Sequence, residues 1–370
     1  MKIALVVFRF GPSHGSLLQT YALTRTLESL GHQVTIIDRQ RPIRLQNINT
    51  MIKRVVLSLS HGNLELGDFR LGEHPRQVMK PFRKFIKKNF ANQYITLTTE
   101  SQLNIVGSEQ GFGAYIVGSD QTWRPMYVYN IYNYFLDFVP RFRKVIRLSY
   151  AASFGTSVWE YTKEQENRCK ELIRQFDGVS VRESDGVDLC KKYFSIDAVH
   201  VLDPTLLLNA SDYRKLIVTS KPFEKYVGFN FLDNNNAKMQ LVEDVCRLMN
   251  VGKRSMNTIQ QSKSRKYKLM PTIEEWIMNI DQSEIAIVDS FHATVFSIIL
   301  HKNFFTIANI DRGMARFTSL LGTLGLEERL ITENTHLTKQ QIFAPINWNL
   351  IDAKLDELRR ESINFLKKYL

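Results

Sequence analysis

The sequence predicts an α/β protein of two Rossmann-like, doubly wound lobes with a cleft between them. Three observations carry that prediction. The chain has 370 residues, more than one ordinary core organises, so two domains are the default. Short apolar runs alternate with segments of helical period, first through about residue 208 and again from about residue 225. Such alternation builds parallel sheets with right-handed crossovers. Several of the runs end in polar clusters, and open α/β sheets bind ligands outside the carboxyl ends of their strands.

The elements follow in order. Ile3 to Val7 is an apolar run of the buried parallel type. Leu17, Leu18, Tyr21, Leu27 and Leu30 recur at helical spacing, Gly31 stands where a helix stops, and Gln33 to Asp38 is a second strand. Between residues 39 and 110 the pattern loosens. Basic amphipathic helices are expected over 50–58 and 78–89, with a glycine-bearing segment (Gly62, Gly67, Gly72) between them. Strands are expected at 114–118, 145–151, 178–181 and 198–202, with helices at 163–176 and 184–193. The second series predicts strands at 226–232, 284–288 and 304–307, and helices at 236–249, 272–281, 292–300 and 315–324. A long charged helix ends the chain over 350–370. The domain boundaries are placed at 1–208 for an N-terminal lobe, 209–345 for a C-terminal lobe, and 346–370 for a C-terminal helix that can pack back on the first lobe.

Composition narrows the function classes. Hydrophobic residues make up 44% of the chain and aromatics 11%, which indicates a packed globular protein. The formal charge of +12 is dispersed, with no zinc-finger spacing, RNP-type strand or arginine-rich arm, so a nucleic-acid partner is not expected. Three cysteines stand far apart with no CxxC, as reduced thiols of a cytoplasmic protein do. No apolar stretch is long enough to span a bilayer.

The strand ends carry the candidate chemistry. The loop Phe8-Arg-Phe-Gly-Pro-Ser-His-Gly-Ser16 places His14 between two glycines before a helix, where backbone amides can approach an anion or a sugar. Gly118-Ser-Asp-Gln-Thr-Trp123 offers polar forks and an aromatic face to a carbohydrate; the plain alternative is a capped helix start at Ser119 or Asp120. Ser149 to Gly155 supplies small residues that bring backbone close. Arg182 ends an apolar strand and can grip a phosphate or carboxylate with two contacts, or pair with Glu183 or Asp185. Asp203-Pro204-Thr205 ends the first series. In the second lobe, Asp289-Ser-Phe-His-Ala-Thr294 turns from strand to helix, with Ser290 placed to cap it and His292 in its first turn. A histidine there can work as base or acid. Ser290 and His292 are too close together for a nucleophile–base pair, and no GxSxG elbow exists. No HxH or HxxxH pair involves His292, so no metal site is expected.

Together, GPSHGSLLQTYAL, VGSDQTWRP, SYAASFG, VSVRESDG, VLDPTLLL and DSFHATVFSIIL resemble the polysaccharide pyruvyl transferase family over most of the chain. The resemblance implies a glycosyltransferase-B-like fold and transfer of pyruvate from phosphoenolpyruvate to two sugar hydroxyls, leaving a cyclic ketal and phosphate. It implies no cofactor beyond the phosphoenolpyruvate co-substrate. Under it, His292 and Arg182 are the catalytic candidates. Arg182, Ser290, Lys302, Arg312 and Arg316 would bind the donor, and His14, Ser119, Asp120, Gln121 and Trp123 the acceptor. Here Phe291 precedes the histidine and Ala293 follows it, where the family commonly has a basic residue nearby and a glycine after. That departure shifts the donor task toward Arg182 and the Arg312–Arg316 segment. The implied acceptor is a capsule, exopolysaccharide or lipid-linked saccharide. Basic helices around Lys53-Arg54 and Arg83 to Lys88 would then meet an anionic membrane at its cytoplasmic face. The alternatives are a nucleotide-sugar glycosyltransferase of the same fold and a non-catalytic glycan-binding protein.

Overall fold

The computed structural model describes residues 1–41, 44–45, 70–71, 76–109, 111–217, 224–257, 260–261, 268–308 and 314–370. The expected helix at 50–58, the glycine-bearing segment, Lys53-Arg54 and Arg312 lie outside the described residues.

Two parallel sheets make the two lobes in a glycosyltransferase-B-like arrangement. The first holds β1 (Lys2–Val7), β2 (Gln33–Arg39), β3 (Tyr94–Leu97), β4 (Ala114–Val117), β5 (Ile146–Ala152), β6 (Gly178–Val181) and β7 (Val199–His200), in the order β3-β2-β1-β4-β5-β6-β7. The second holds β8 (Tyr226–Asn230), β9 (Gly252–Ser255), β10 (Ile285–Val288), β11 (Asn303–Ile307) and β12 (Leu330–Ile331), in the order β9-β8-β10-β11-β12. Every pairing in both sheets is parallel. The order reverses at β1/β4 in one lobe and at β8/β10 in the other. Each reversal leaves a crevice at the carboxyl ends of its strands.

The central strands β1, β4 and β10 are buried because their residues are apolar on both faces. Helix His14–Ser29 covers one face of the first sheet and stops where Gly31 takes φ +86°, a conformation glycine adopts without strain. Strand β3 was not expected. It is a half-exposed edge strand with Tyr94 and Ile95 facing out, so it lacks the apolar run that marks the inner strands. The helix after it, Glu100–Ser108, starts with a capping box made by Thr99 and Gln102. The expected strand at 198–202 shortens to two residues, and the expected helix at 184–193 ends in a π turn at Cys190–Phe194.

One apolar cluster runs through both lobes. It joins Leu5, Phe82 and Leu206 with Trp276 and Phe296, and with Phe365 of the C-terminal helix Trp348–Tyr369. That helix lies on the first lobe: Arg359 Nε donates to the Leu206 carbonyl at 2.6 Å, and the Leu202 N–H donates to Ser362 Oγ at 3.0 Å. Among the described residues no helix is long and apolar enough to cross a membrane.

Candidate active site

Four neighbouring strand ends of the first sheet converge with one of the second. After β4 comes Asp120, at φ +86°, a backbone region costly for any residue but glycine. Strand β5 carries a register break between Ser149 and Ala152, with Ala151 at φ +52°. Such a bulge re-aims the chain, here toward Ser153. Arg182 and Glu183 follow β6, and Asp203 stands shortly after β7.

Arg182 is the hub. Its Nη1 donates to Asp203 Oδ2 at 2.9 Å, its Nε to Glu183 Oε1 at 3.1 Å and its Nη2 to Ser153 Oγ at 3.0 Å. The arginine and both acids are nearly inaccessible to solvent. Burial alone would lower the arginine pKa, but the carboxylates of Glu183, Asp203 and Asp120 outweigh it and hold the group above its ordinary value. For Asp203, burial works upward and is overcome by His292, Arg182 and Thr205, so the carboxyl stays well below the usual range. Asp203 is therefore ionised throughout the physiological range.

His292 reaches this carboxylate from the other lobe. Its Nε2 lies 3.7 Å from Asp203 Oδ2, inside ion-pair range and beyond a hydrogen bond. The ring edge carrying Nδ1 rests on Gly15. A Cβ at that position would come 2.1 Å from Nδ1, so only glycine admits the ring. Helix His14–Ser29 thus shapes the seat of a histidine 277 positions further along the chain. The same helix sends Gln19 to Asp203, its Nε2 donating to Oδ2 at 2.6 Å and to Ser119 Oγ at 3.0 Å.

The helix that presents His292, Phe291–Ile299, begins at Ser290 without a side-chain cap, although the sequence expectation gave Ser290 that role. Its first backbone N–H groups stay available to an anion. Phe291 lies between two guanidinium groups, Arg182 at 4.9 Å and Arg316 at 5.6 Å from its ring centre. Burial and the charge of Arg182 push the pKa of Arg316 down to about 10, against the opposing pull of Glu183 and Asp120. A cavity lined by Arg182, Asp203, Phe291 and Arg316, together with Leu206 and Leu320, opens beside this group.

The structure corrects several sequence expectations. His14 does not face an acceptor: it is buried, stacked on Trp276 and bonded through Nε2 to the Pro271 carbonyl. Trp123 offers no aromatic platform, being fully buried with its indole N–H on the Tyr134 carbonyl and its ring stacked on Phe135. Lys302 stands just before β11, at the amino end of the sheet and away from the cleft, where its Nζ donates to the Asp281 carbonyl. Asp289 serves the frame, accepting from Lys238 Nζ at 2.7 Å and from the Leu232 N–H at 2.7 Å.

Other expected residues do gather near the hub. Ser119 holds Gln19, the charge of Asp120 is felt by both Arg182 and Arg316, and Gln121 packs on Gly155 while accepting from Arg124. Arg182, His292, Ser290 and Arg316 all border one centre. Sequence reasoning missed the part played by Gln19 and Gly15 and left Asp203 as a mere strand end. Gln19 falls on the inner face of an ordinary amphipathic helix, where no local signal separates it from a core polar residue.

The sequence model of one family, described as polysaccharide pyruvyl transferase, matches residues 14–312. No curated protein matches the sequence. Solved structures with a similar fold include the UDP-GlcNAc 2-epimerase from Neisseria meningitidis bound to UDP-GlcNAc, at 11% identity and a TM-score of 0.51, covering 98% of this chain and 94% of that one. The S. aureus MnaA–UDP co-structure is similar at 12% identity and a TM-score of 0.52, covering 100% and 97%. At such identities the likeness concerns the fold alone.

Proposed function

Because the chain belongs to the polysaccharide pyruvyl transferase family, and is thus a transferase acting on a sugar acceptor, we propose that it moves pyruvate from phosphoenolpyruvate onto two hydroxyls of one sugar. The observation that carries this reading is the meeting, at one point of the cleft, of His292 from the second lobe with ionised Asp203 from the first, flanked by Arg182 and Arg316.

The chemistry balances with those groups. The first hydroxyl oxygen bonds to C2 of the enolpyruvyl group while C3 gains a proton, leaving a tetrahedral phosphate adduct. The C2–O bond to phosphate then breaks with its electron pair, and the second hydroxyl closes the ketal on C2. One hydroxyl proton ends as the third methyl hydrogen and the other leaves with the phosphate. His292 carries the proton between oxygen and carbon. A proton on Nε2 would have the Asp203 carboxylate as counter-ion at 3.7 Å. Arg316, the open N-terminus of helix Phe291–Ile299 and Ser290 bind the donor's phosphate and carboxylate. Arg182 holds Asp203 and Glu183 in place and stacks on Phe291. Ser119, Asp120 and Gln121 lie on the acceptor side. The scheme calls for no metal or organic cofactor.

Helix Arg76–Asn89 buries Val78, Met79, Phe82, Phe85 and Ile86 and exposes Lys80, Arg83, Lys84, Lys87 and Lys88. Such a face fits an anionic membrane carrying a lipid-linked acceptor, at about 1 kcal/mol per basic residue. The test of the function is direct. The protein is incubated with phosphoenolpyruvate and either a galactoside or an extracted pool of lipid-linked glycans, and phosphate release is followed. Wild type is expected to release phosphate only with an acceptor present, and His292→Ala to abolish release with the fold intact. Transfer from a UDP-sugar without any use of phosphoenolpyruvate would favour the glycosyltransferase alternative.

A further inference from the structure

Two buried polar atoms at the centre have no hydrogen-bond partner among the described residues: His292 Nε2 and Gln19 Oε1. Both belong to groups held against the same oxygen. Gln19 Nε2 donates to Asp203 Oδ2 at 2.6 Å, and His292 Nε2 lies 3.7 Å from it. The orientation of the amide is fixed by chemistry. A carboxylate only accepts, so the NH2 end must face Asp203 and the carbonyl end must turn away from it. Ser119 Oγ, which can accept as well as donate, takes the second N–H of the group. The residue is 2% exposed, so bulk water does not compensate its oxygen. A buried carbonyl oxygen left without a donor costs free energy that a protein does not spend without return.

We propose that Gln19 Oε1 receives one of the two acceptor hydroxyls that become the ketal, while His292 Nε2 takes the proton of the other. Gln19 is in this sense a specificity-determining residue, and the inference rests on the pyruvyl-transfer reading above. Two acceptor atoms on side chains gathered around one carboxylate suit a diol, because a ring closed on C2 needs both hydroxyls of one sugar presented together. The arrangement also explains how Asp203 serves a site it does not touch directly. Arg182 and the Thr205 hydroxyl anchor it from behind, at 2.9 and 2.6 Å, and it in turn aligns the amide and the imidazole. A water molecule holding the same two atoms is the competing occupant.

Kinetics separate the two. With phosphoenolpyruvate and whichever galactoside or lipid-linked glycan pool the wild type uses, Gln19→Met keeps the side-chain length and removes the acceptor oxygen. The expected result is a fall of about tenfold in kcat/KM for the sugar, with KM for phosphoenolpyruvate within twofold of wild type. Ser119→Ala removes the second partner of the NH2 group, loosens the amide and is expected to change the same parameter in the same direction, less strongly; it decides the matter if Gln19→Met does not fold. An unchanged sugar KM and kcat in an active, folded variant overturns the inference and leaves a structural water as the occupant, with pyruvyl transfer untouched. Equal losses toward both substrates also overturn it, since they mark a merely structural residue. Absence of phosphate release by the wild type with every acceptor removes the pyruvyl-transfer reading, and this inference with it.

Discussion

Acidification probes the packing that ties the lobes together. His14 belongs to the first lobe, stacks on Trp276 of the second with ring centres 5.2 Å apart, and lies 2.9 Å through Nε2 from the Pro271 carbonyl. A carbonyl only accepts, so the neutral ring carries its proton on Nε2 and donates it. Burial pushes the pKa from its ordinary 6.5 down to about 4, with the Pro271 bond pulling weakly the other way. Between those values the unfolded chain binds a proton that the folded chain does not. Stability is therefore complete above pH 6.5 and is lost as the pH falls toward 4. At 1.36 kcal/mol per pH unit the gap amounts to about 3 kcal/mol. With an unfolding entropy of about 2.1 cal/mol/K per residue over the whole chain, that corresponds to a Tm change of about 4 °C if the lobes unfold together. Calorimetry of wild type and His14→Phe between pH 7.5 and 4.5 measures it. The variant keeps a ring against Trp276 and loses the titration. Carboxylates contribute equally to both proteins, so the wild type should lose about 3 °C more than the variant across that range, which stops short of the folded pKa. Parallel Tm curves would refute the assignment of His14 as a buried neutral ring.

Two further substitutions test the frame of the centre. Gly15→Ala places a Cβ 2.1 Å from His292 Nδ1, so the imidazole must move; phosphate release is expected to fall by about 100-fold, as a misplacement of about 1 Å does, while Tm changes little. Arg182→Ala leaves the buried Glu183 and Asp203 carboxylates without their cation and is expected to destabilise the fold by about 3–5 kcal/mol in chemical denaturation. A selective loss of donor affinity in a fully stable variant would instead make Arg182 a ligand-binding group with no structural duty.

The fold was legible because parallel sheets write themselves locally. Runs such as Ala4 to Val7 and Ile285 to Val288 are apolar at every position, which only a strand covered on both faces requires. Strand β3 escaped because Tyr94, Ile95 and Thr96 stand at an edge and face solvent, so no run marks it. The strand-end turns that meet in the cleft were also legible, since carboxyl ends of parallel strands are where this architecture puts its ligands. Which residue in a turn does the work was less so. Trp123 and His14 sit in polar turns yet point into the core, each with its polar atom on a carbonyl. Lys302 comes close to the His292 helix in sequence, but it stands at the amino end of β11, a strand's length from the cleft at the carboxyl ends. The contacts that build the centre span 277 positions between Gly15 and His292 and 184 between Gln19 and Asp203. No short-range pattern records pairings of that kind.

The distribution of charge explains why the centre is divided between lobes. Arg182 and Asp203 would be costly to bury alone, and each is tolerable only because the other is present with Glu183 and Ser153 completing the bonds. The hydrogen bonds of that group close within the first lobe, while His292 and Phe291 of the second lobe lie against its Asp203 and Arg182. The second lobe adds the parts to which the proposed function assigns the chemistry: an imidazole, an uncapped helix start and Arg316. A proton-handling group on one lobe and its counter-ion on the other are brought together only when the lobes meet, at a contact of 3.7 Å. Separation of the lobes would part His292 from Asp203 and from its seat on Gly15 at the same time. Under the proposed pyruvyl transfer, this division would confine the proton transfer to the assembled cleft, where an enolpyruvyl group would be shielded from hydrolysis.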